Sequence, residues 1–196
     1  GATGEGFDWL RALGNKVTPL QPALVPVQVR EEWVKEAQGL SLKNVRISVY
    51  QQGQRKDQRF GEALITHVGL SGPIVLDLSK KIGELLPQGE VKLFIDLKPS
   101  LSFDRLDERV QRDFRKYRNK AFKNSLSDLL PRSLIAPVIR LTGIDPDKQV
   151  NSVTREERHR LVNLLKGLEF TVSGLMGFEQ AIVTRGGVEL KEIDTR

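Results

Sequence analysis

Apolar residues along this chain change their spacing twice, and the changes divide it into three stretches. Up to Ile95 the apolar positions mostly alternate or run together, as in half-buried and fully buried strands, which predicts strands over Ala23 to Val29, Val45 to Tyr50, Phe60 to Thr66 and Val91 to Ile95. The polar run Gln51 to Gln58 reads as a hairpin tip. Two helical patterns interrupt these strands. Phe7, Leu10 and Leu13 share one side of a short amphipathic helix that Gly14 suits as a C-terminal cap. Ile74, Val75, Leu78, Ile82 and Leu85 form the inner stripe of a second helix, Pro73 to Leu86, opened by Ser71 and Pro73 and broken by Pro87 and Gly89.

After Pro99 the period becomes helical. Phe103, Leu106, Val110, Phe114 and Tyr117 predict one helix, with Ser102 as its cap and Asp104 in its first turn. A second is expected over Ala121 to Leu130. A third runs from Pro131 to Leu141, bent at Pro137 and ended by Gly143. Thr154 and Glu157 make a capping box for a fourth, ending at Lys166. Strand patterns then return at Glu169 to Val172, Gln180 to Thr184 and Val188 to Ile193. The fold class expected is α+β: a mixed, partly closed, barrel-like sheet subdomain from residues 1–100 and 167–196, interrupted by a small helical-bundle subdomain at 101–166.

Composition narrows the class. With 196 residues, 39% of them hydrophobic, the chain can form one large or two small domains. No apolar run approaches the roughly 20 residues that span a bilayer, and no export signal opens the chain, so a cytoplasmic setting without a membrane is expected. The absence of Cys excludes disulfide partners, thiolate zinc and a cysteine nucleophile, and with only His67 and His159 no metal site is expected. The net charge of +6 is localised: residues 102–166 hold fifteen Lys and Arg against nine Asp and Glu, while the rest of the chain is balanced. Its densest part, Arg112, Arg115, Lys116, Arg118, Lys120 and Lys123, has Phe114, Tyr117 and Phe122 interleaved and only Asp113 opposed. That spacing suits a phosphate backbone, with a solvated basic face as the plainer reading.

The candidate chemistry gathers in Gly61 to Ser79, where a strand, a histidine, a glycine corner and a helix start follow one another. His67 could hold or move a proton near neutral pH, or serve as a hydrogen-bonded structural residue. No nucleophile triad or carboxylate pair is apparent. Gly4 and Gly6 have no strand ahead of them, so they do not form a dinucleotide fingerprint.

Thr66, His67, Val68, Gly69, Leu70, Ser71, Gly72 and Pro73 together resemble the insert region of the BaiN/RdsA-type NAD(P)/FAD-dependent oxidoreductases, also called aminoacetone-oxidase-like flavoproteins. Pro22 to Val27, Gly39 to Val45, Leu130 to Leu134 and Val183 to Asp194 resemble that family in the same order, across essentially the whole chain; Asn15, where the family commonly has His, is a departure outside the main motif. The resemblance implies a region that leaves and re-enters an FAD-binding domain of the same parent chain, covering the flavin and shaping the substrate pocket. Both ends of the sequence then read as cut. FAD would belong to the intact protein, with NAD(P)H as reductant, and the region alone would hold no cofactor and be inactive. The same resemblance implies flavin-facing roles for Gly4, Gly6, Thr66, Gly69, Ser71, Gly72, Thr184, Gly186 and Gly187, and a catalytic one for His67; for Gly186 and Gly187 a tight turn is the competing reading. Members are associated with reducing uridine in ribosomal RNA, and others with small amine or enone substrates. Ribosomal RNA is the partner that best accounts for the localised charge. Small-molecule flavin chemistry and a stand-alone nucleic-acid-binding module remain the alternatives.

Overall fold

The computed structural model describes residues 4–192. In chain order the elements are α1 (Glu5–Ala12), β1 (Gln21–Ala23), β2 (Val27–Val29), β3 (Ser41–Gln51), β4 (Gln54–Ile65), β5 (Gly69–Ser71), α2 (Pro73–Leu85), β6 (Lys92–Asp96), α3 (Phe103–Lys116), α4 (Arg132–Thr142), α5 (Arg155–Lys166), β7 (Leu168–Leu175) and β8 (Val183–Arg185). Six strands close a barrel in the order β2-β5-β4-β3-β6-β7, with β7 pairing back onto β2. The molecule is α+β, but the sheet expected as mixed and partly closed is antiparallel at every pairing and fully closed. Closure satisfies the strand edges that an open sheet would leave unpaired.

Alternation fills the interior. Val45, Ile47 and Val49 of β3 point in, as do Leu93 and Ile95 of β6 and Phe170 of β7, all essentially buried. Removing each such side chain from water contributes about 1.5–3 kcal/mol. The apolar stripe of α2 packs on the barrel, and Ile74, Val75, Leu78, Ile82 and Leu85 are buried as expected. The core then continues without a break into the helices through Leu106, Val110, Leu134, Val138, Leu161 and Leu165. The Ser102 cap and the complete Thr154–Glu157 capping box are both present.

Several predicted boundaries are corrected by long-range pairing. The strand expected over Ala23 to Val29 is two strands, because Leu24 takes a left-handed backbone (φ 52) and turns β1 away from the barrel to pair with β8. The hairpin tip expected over Gln51 to Gln58 is only Gln52 and Gly53, both at positive φ (52 and 73) as a primed two-residue turn requires; ladder pairing carries the polar flanks as strand. Ser71 does not cap α2: it ends β5, and Gly72 is the cap residue, while Pro131 is the cap of α4 rather than its first turn. No helix forms over Ala121 to Leu130. Phe122 N–H donates to Lys148 O and Val150 N–H to Lys120 O, so the backbone is committed to the 146–150 loop and only the 3-10 turn Phe122–Asn124 remains. The last two predicted strands shrink to β8 and to a single bridge between Val17 and Val188, because barrel closure leaves them only the short β1 and the N-terminal segment as partners. Gly1 to Thr3 and Ile193 to Arg196 lie outside the described residues.

Candidate functional site

The residues singled out in the sequence fall into three places. The first is the turn joining β4 to β5. Thr66 N–H donates to Gly69 O (2.8 Å), and Gly69 N–H donates to the Thr66 hydroxyl (3.1 Å), so this threonine braces the turn. Gly69 is buried between strands, where a Cβ would run into the carbonyl oxygen of Val27; its lack of a side chain is what allows β5 to close on β2. His67 is exposed at the tip, beside Glu32 and Lys35 at the edge of a shallow cavity of about 350 Å³. Its ring makes no hydrogen bond among the described residues. Ser71 and Gly72, at the other end of β5, open α2. The three-residue β5 separates His67, in the turn before it, from Gly72, just after it, by at most about 16 Å at strand spacing.

The second place is the layer where the two ends of the chain meet. Thr18 N–H donates to Gly187 O (2.8 Å) and Gly187 N–H to the Thr18 hydroxyl (3.0 Å), and a Cβ on Gly186 would strike the Pro19 carbonyl, so both glycines are held by the turn they make. Gly187 also lies against the Phe7 ring, which brings α1 and its leading Gly4 and Gly6 to this layer. Thr184 lies on β8, fully on the surface. Of the eight exposed large apolar side chains among the described residues, six are here: Trp9, Leu13, Phe178, Ile182, Val183 and Leu190, with Leu190 83% exposed. The apolar pattern does not single them out, because each looks like an ordinary inward position of a helix or strand. Only the absence of a covering surface distinguishes them.

The third place is the basic end of α3. Its six candidate cations divide by partner. Lys116 bonds Asp128 (2.6 Å) and Lys123 bonds Asp147 (2.6 Å), whereas Arg112, Arg115, Arg118 and Lys120 form no ion pair among the described residues. Hydrogen bonding to Asp128 and Tyr117 holds the Lys116 ammonium above its ordinary pKa, and the Lys116 and Tyr117 bonds hold Asp128 below its own. Tyr117 donates to Asp128 (2.7 Å) and is covered by the Lys116 and Lys120 ammoniums, each 4.8 Å from its ring; Phe114 packs edge-on against buried Phe122. Both aromatics are therefore structural. Arg115 and Arg118 border a groove of about 390 Å³ together with Arg158, whose guanidinium is tied to Asp107 (2.6 Å). Burial alone would raise the Asp107 carboxyl, but hydrogen bonds from Arg158 and Gln111 outweigh it and hold the group low. Lys98, before α3, is held below its ordinary pKa mainly by burial and secondarily by Arg109.

One further surface was not anticipated from the sequence. The outer face of β3, β4 and β6 forms a cleft of about 830 Å³ where Tyr50 and Phe94 meet edge to face, ring centres 5.1 Å apart, beside Arg46, Arg55 and Lys92. Its signal was available: Arg46, Ser48 and Tyr50 are the positions that alternate with Val45, Ile47 and Val49.

The fold is thus a closed barrel carrying a helical annex with cations that form no ion pair among the described residues, and exposed apolar side chains on the segments at its two chain ends. Residues 21–183 match the family model described as HI0933-like protein barrel and H2TH domain, and the chain belongs to this family. It is 25% identical over 194 residues to the 3-dehydro-bile acid delta(4,6)-reductase of Clostridium scindens, covering 98% of this chain and 47% of that one. It is 28% identical to the ribosomal RNA dihydrouridine synthase of Haemophilus influenzae and 27% to that of Escherichia coli, each over 198 residues, covering 100% of this chain and 46% of those proteins. The chain thus spans about half the length of these relatives. No helix among the described residues is long and apolar enough to cross a membrane.

Proposed function

We propose that this chain is the substrate-recognition and active-site-covering region of an FAD-dependent NAD(P)H oxidoreductase that reduces a uridine in ribosomal RNA. The observation that carries the reading is the apolar layer at the paired chain ends. The aliphatic side chains of the barrel interior are fully buried, so Trp9, Leu13, Phe178, Ile182 and Leu190, exposed on the segments that flank it, are best accounted for by a second domain that covers them. An FAD-binding domain of the same parent chain fits that place. When bound there, FAD supplies the hydride chemistry and NAD(P)H restores it.

The residues present suit an edge contact with a flavin rather than a cradle for its pyrophosphate. Glu5 and Asp8 occupy the first turn of α1 and would repel an anion near Gly4 and Gly6. The start of α2 has no carboxylate in its first turn and no side-chain cap, so Ser71 and Gly72 are the residues suited to meet a flavin carbonyl. Thr66 and Gly69 act by shaping the turn and Gly186 and Gly187 by closing the end layer, while His67 is presented at the exposed tip of the turn. Arg112, Arg115, Arg118 and Lys120 hold the polyanion while one base is presented to the flavin.

The experiment is reduction by the intact enzyme, with NADPH or NADH, of a ribosomal RNA fragment, read as the mass gain of two hydrogens on a uridine. Turnover of RNA with no turnover of steroid enones supports the reading. The reverse favours the second reading, small-molecule reduction, for which the observation is the match to the bile acid reductase across 98% of the chain.

A further inference from the structure

We infer that the outer face of β3, β4 and β6 is a second RNA-contact surface, a stacking platform for an unpaired, single-stranded stretch of the substrate RNA. This rests on the reading of RNA as the substrate and adds where and how a strand is held. The register sets the platform: Ser48 is opposite Phe94 on one side and Gln58 on the other, and Tyr50 is opposite Lys92 and Arg55. On the next outward row Arg46 is opposite Phe60, whose ring is 60% exposed. Aromatic rings on the outer wall of a closed barrel contribute nothing to its core. Their apolar faces are stabilised by a planar partner, and a nucleobase is one that any sequence supplies.

The charges around the rings point the same way. Both carboxylates at the cleft are engaged, Glu90 by Arg30 (3.2 Å) and Asp96 by Lys166 (2.7 Å). Arg46 and Arg55 are left without an ion pair among the described residues. Two guanidiniums without a carboxylate partner among the described residues, Arg55 donating only to the neutral Gln58 amide oxygen (2.9 Å), flank an aromatic pair and match the alternation of phosphate and base along a strand.

Continuity selects a strand over a free nucleotide. Lys166, at the barrel end of the cleft, also donates to Leu101 O (2.6 Å), and Leu101 borders a groove of about 430 Å³ along α3 with Arg105, Arg109, Arg112 and Arg115. Lys166 thus stands between the platform and the basic helix, and a strand that crosses it would meet both.

The test uses the intact protein and fluorescence anisotropy with two probes, a short labelled oligouridine and a fully paired RNA hairpin. Tyr50→Leu with Phe94→Leu keeps the apolar volume and removes the stacking rings; oligouridine binding should weaken about tenfold or more while the salt dependence stays unchanged. Arg46→Gln with Arg55→Gln, at surface positions, should lower the slope of log K against log salt by roughly 1.4, two phosphates' worth for a single strand. Neither change should alter hairpin binding, which Arg115→Glu with Arg118→Glu should weaken. Photocrosslinking of a 4-thiouridine probe should mark the peptides that contain Tyr50 or Phe94. If both platform variants bind oligouridine like wild type while the α3 variant does not, the platform is wrong and the RNA reading stands. Full displacement of oligouridine by uridine monophosphate at equal concentration overturns the strand as occupant in favour of a free nucleotide. If wild type binds neither probe, the RNA reading itself fails and the platform with it.

Discussion

The barrel and the layer at the chain ends both combine antiparallel pairing with large apolar side chains, with opposite results. In the barrel Ile47, Ile95 and Phe170 are completely shielded, whereas in the end layer Ile182 is 63% and Leu190 83% exposed. The difference is closure. Six strands that return on themselves enclose a volume, while β1 and β8 make a two-stranded ribbon near α2, where Arg185 reaches Glu84 (3.6 Å), with all three residues of β8 exposed. The same kinds of side chain therefore supply stability in one place and exposed apolar surface in the other.

The strongest test of that contrast is a pair of truncations. Phe170→Ala should destabilise the protein by about 3–5 kcal/mol, whereas Leu190→Ala should fall within about 0.5 kcal/mol, both read from urea unfolding. Equal effects would mean that the end layer is part of the core. Next is Gly69→Ala, which forces a Cβ against the Val27 carbonyl at the closing seam and should cost about 1–3 kcal/mol; a neutral result would show that the seam can open without loss. Changing Arg115 and Arg118 together to Glu should leave unfolding unmoved but weaken RNA binding, most at low salt. Unaltered affinity at every salt concentration would leave α3 as a merely solvated face.

The smallest effect concerns pH. Lys148 and the Thr154 N–H hold the Glu157 carboxylate below its ordinary range. Because its folded value is depressed, its contribution is complete above the unfolded value near pH 4.3 and is lost as pH falls through the folded one. Wild type and Glu157→Gln should therefore differ by about 1 kcal/mol at neutral pH, and the gap in urea midpoint should close below about pH 4. A gap that persists at pH 3 would assign the stabilisation to packing instead of charge.

Helices marked by local signals are legible in the amino-acid sequence: the stripe of α2, the Ser102 cap and the Thr154–Glu157 box all concern residues within a few positions of one another. The inner strands β3, β4, β6 and β7 are legible for the same reason, since alternation is a property of neighbours. Illegible are the segments whose backbone bonds go elsewhere. Phe122 gives up a helix for Lys148 O, Leu24 turns a continuous apolar run into two strands, and Gly69 to Ser71 reads as a corner until β2 is placed beside it. The candidate site follows the same division. The types of residue are visible in the sequence, but only the fold puts His67 and Gly72 off opposite ends of β5, ties Lys116 and Lys123 into ion pairs, and leaves Arg112, Arg115, Arg118 and Lys120 free of ion pairs among the described residues.

By itself, then, the sequence determined the class, the charged annex and the local starts and stops of most elements, because these depend on contacts within one or two turns of chain. Closure of the barrel, the identity of the free cations and the exposure of the end layer were decided by tertiary structure, because each depends on which distant residue arrives opposite, and no local spacing encodes that.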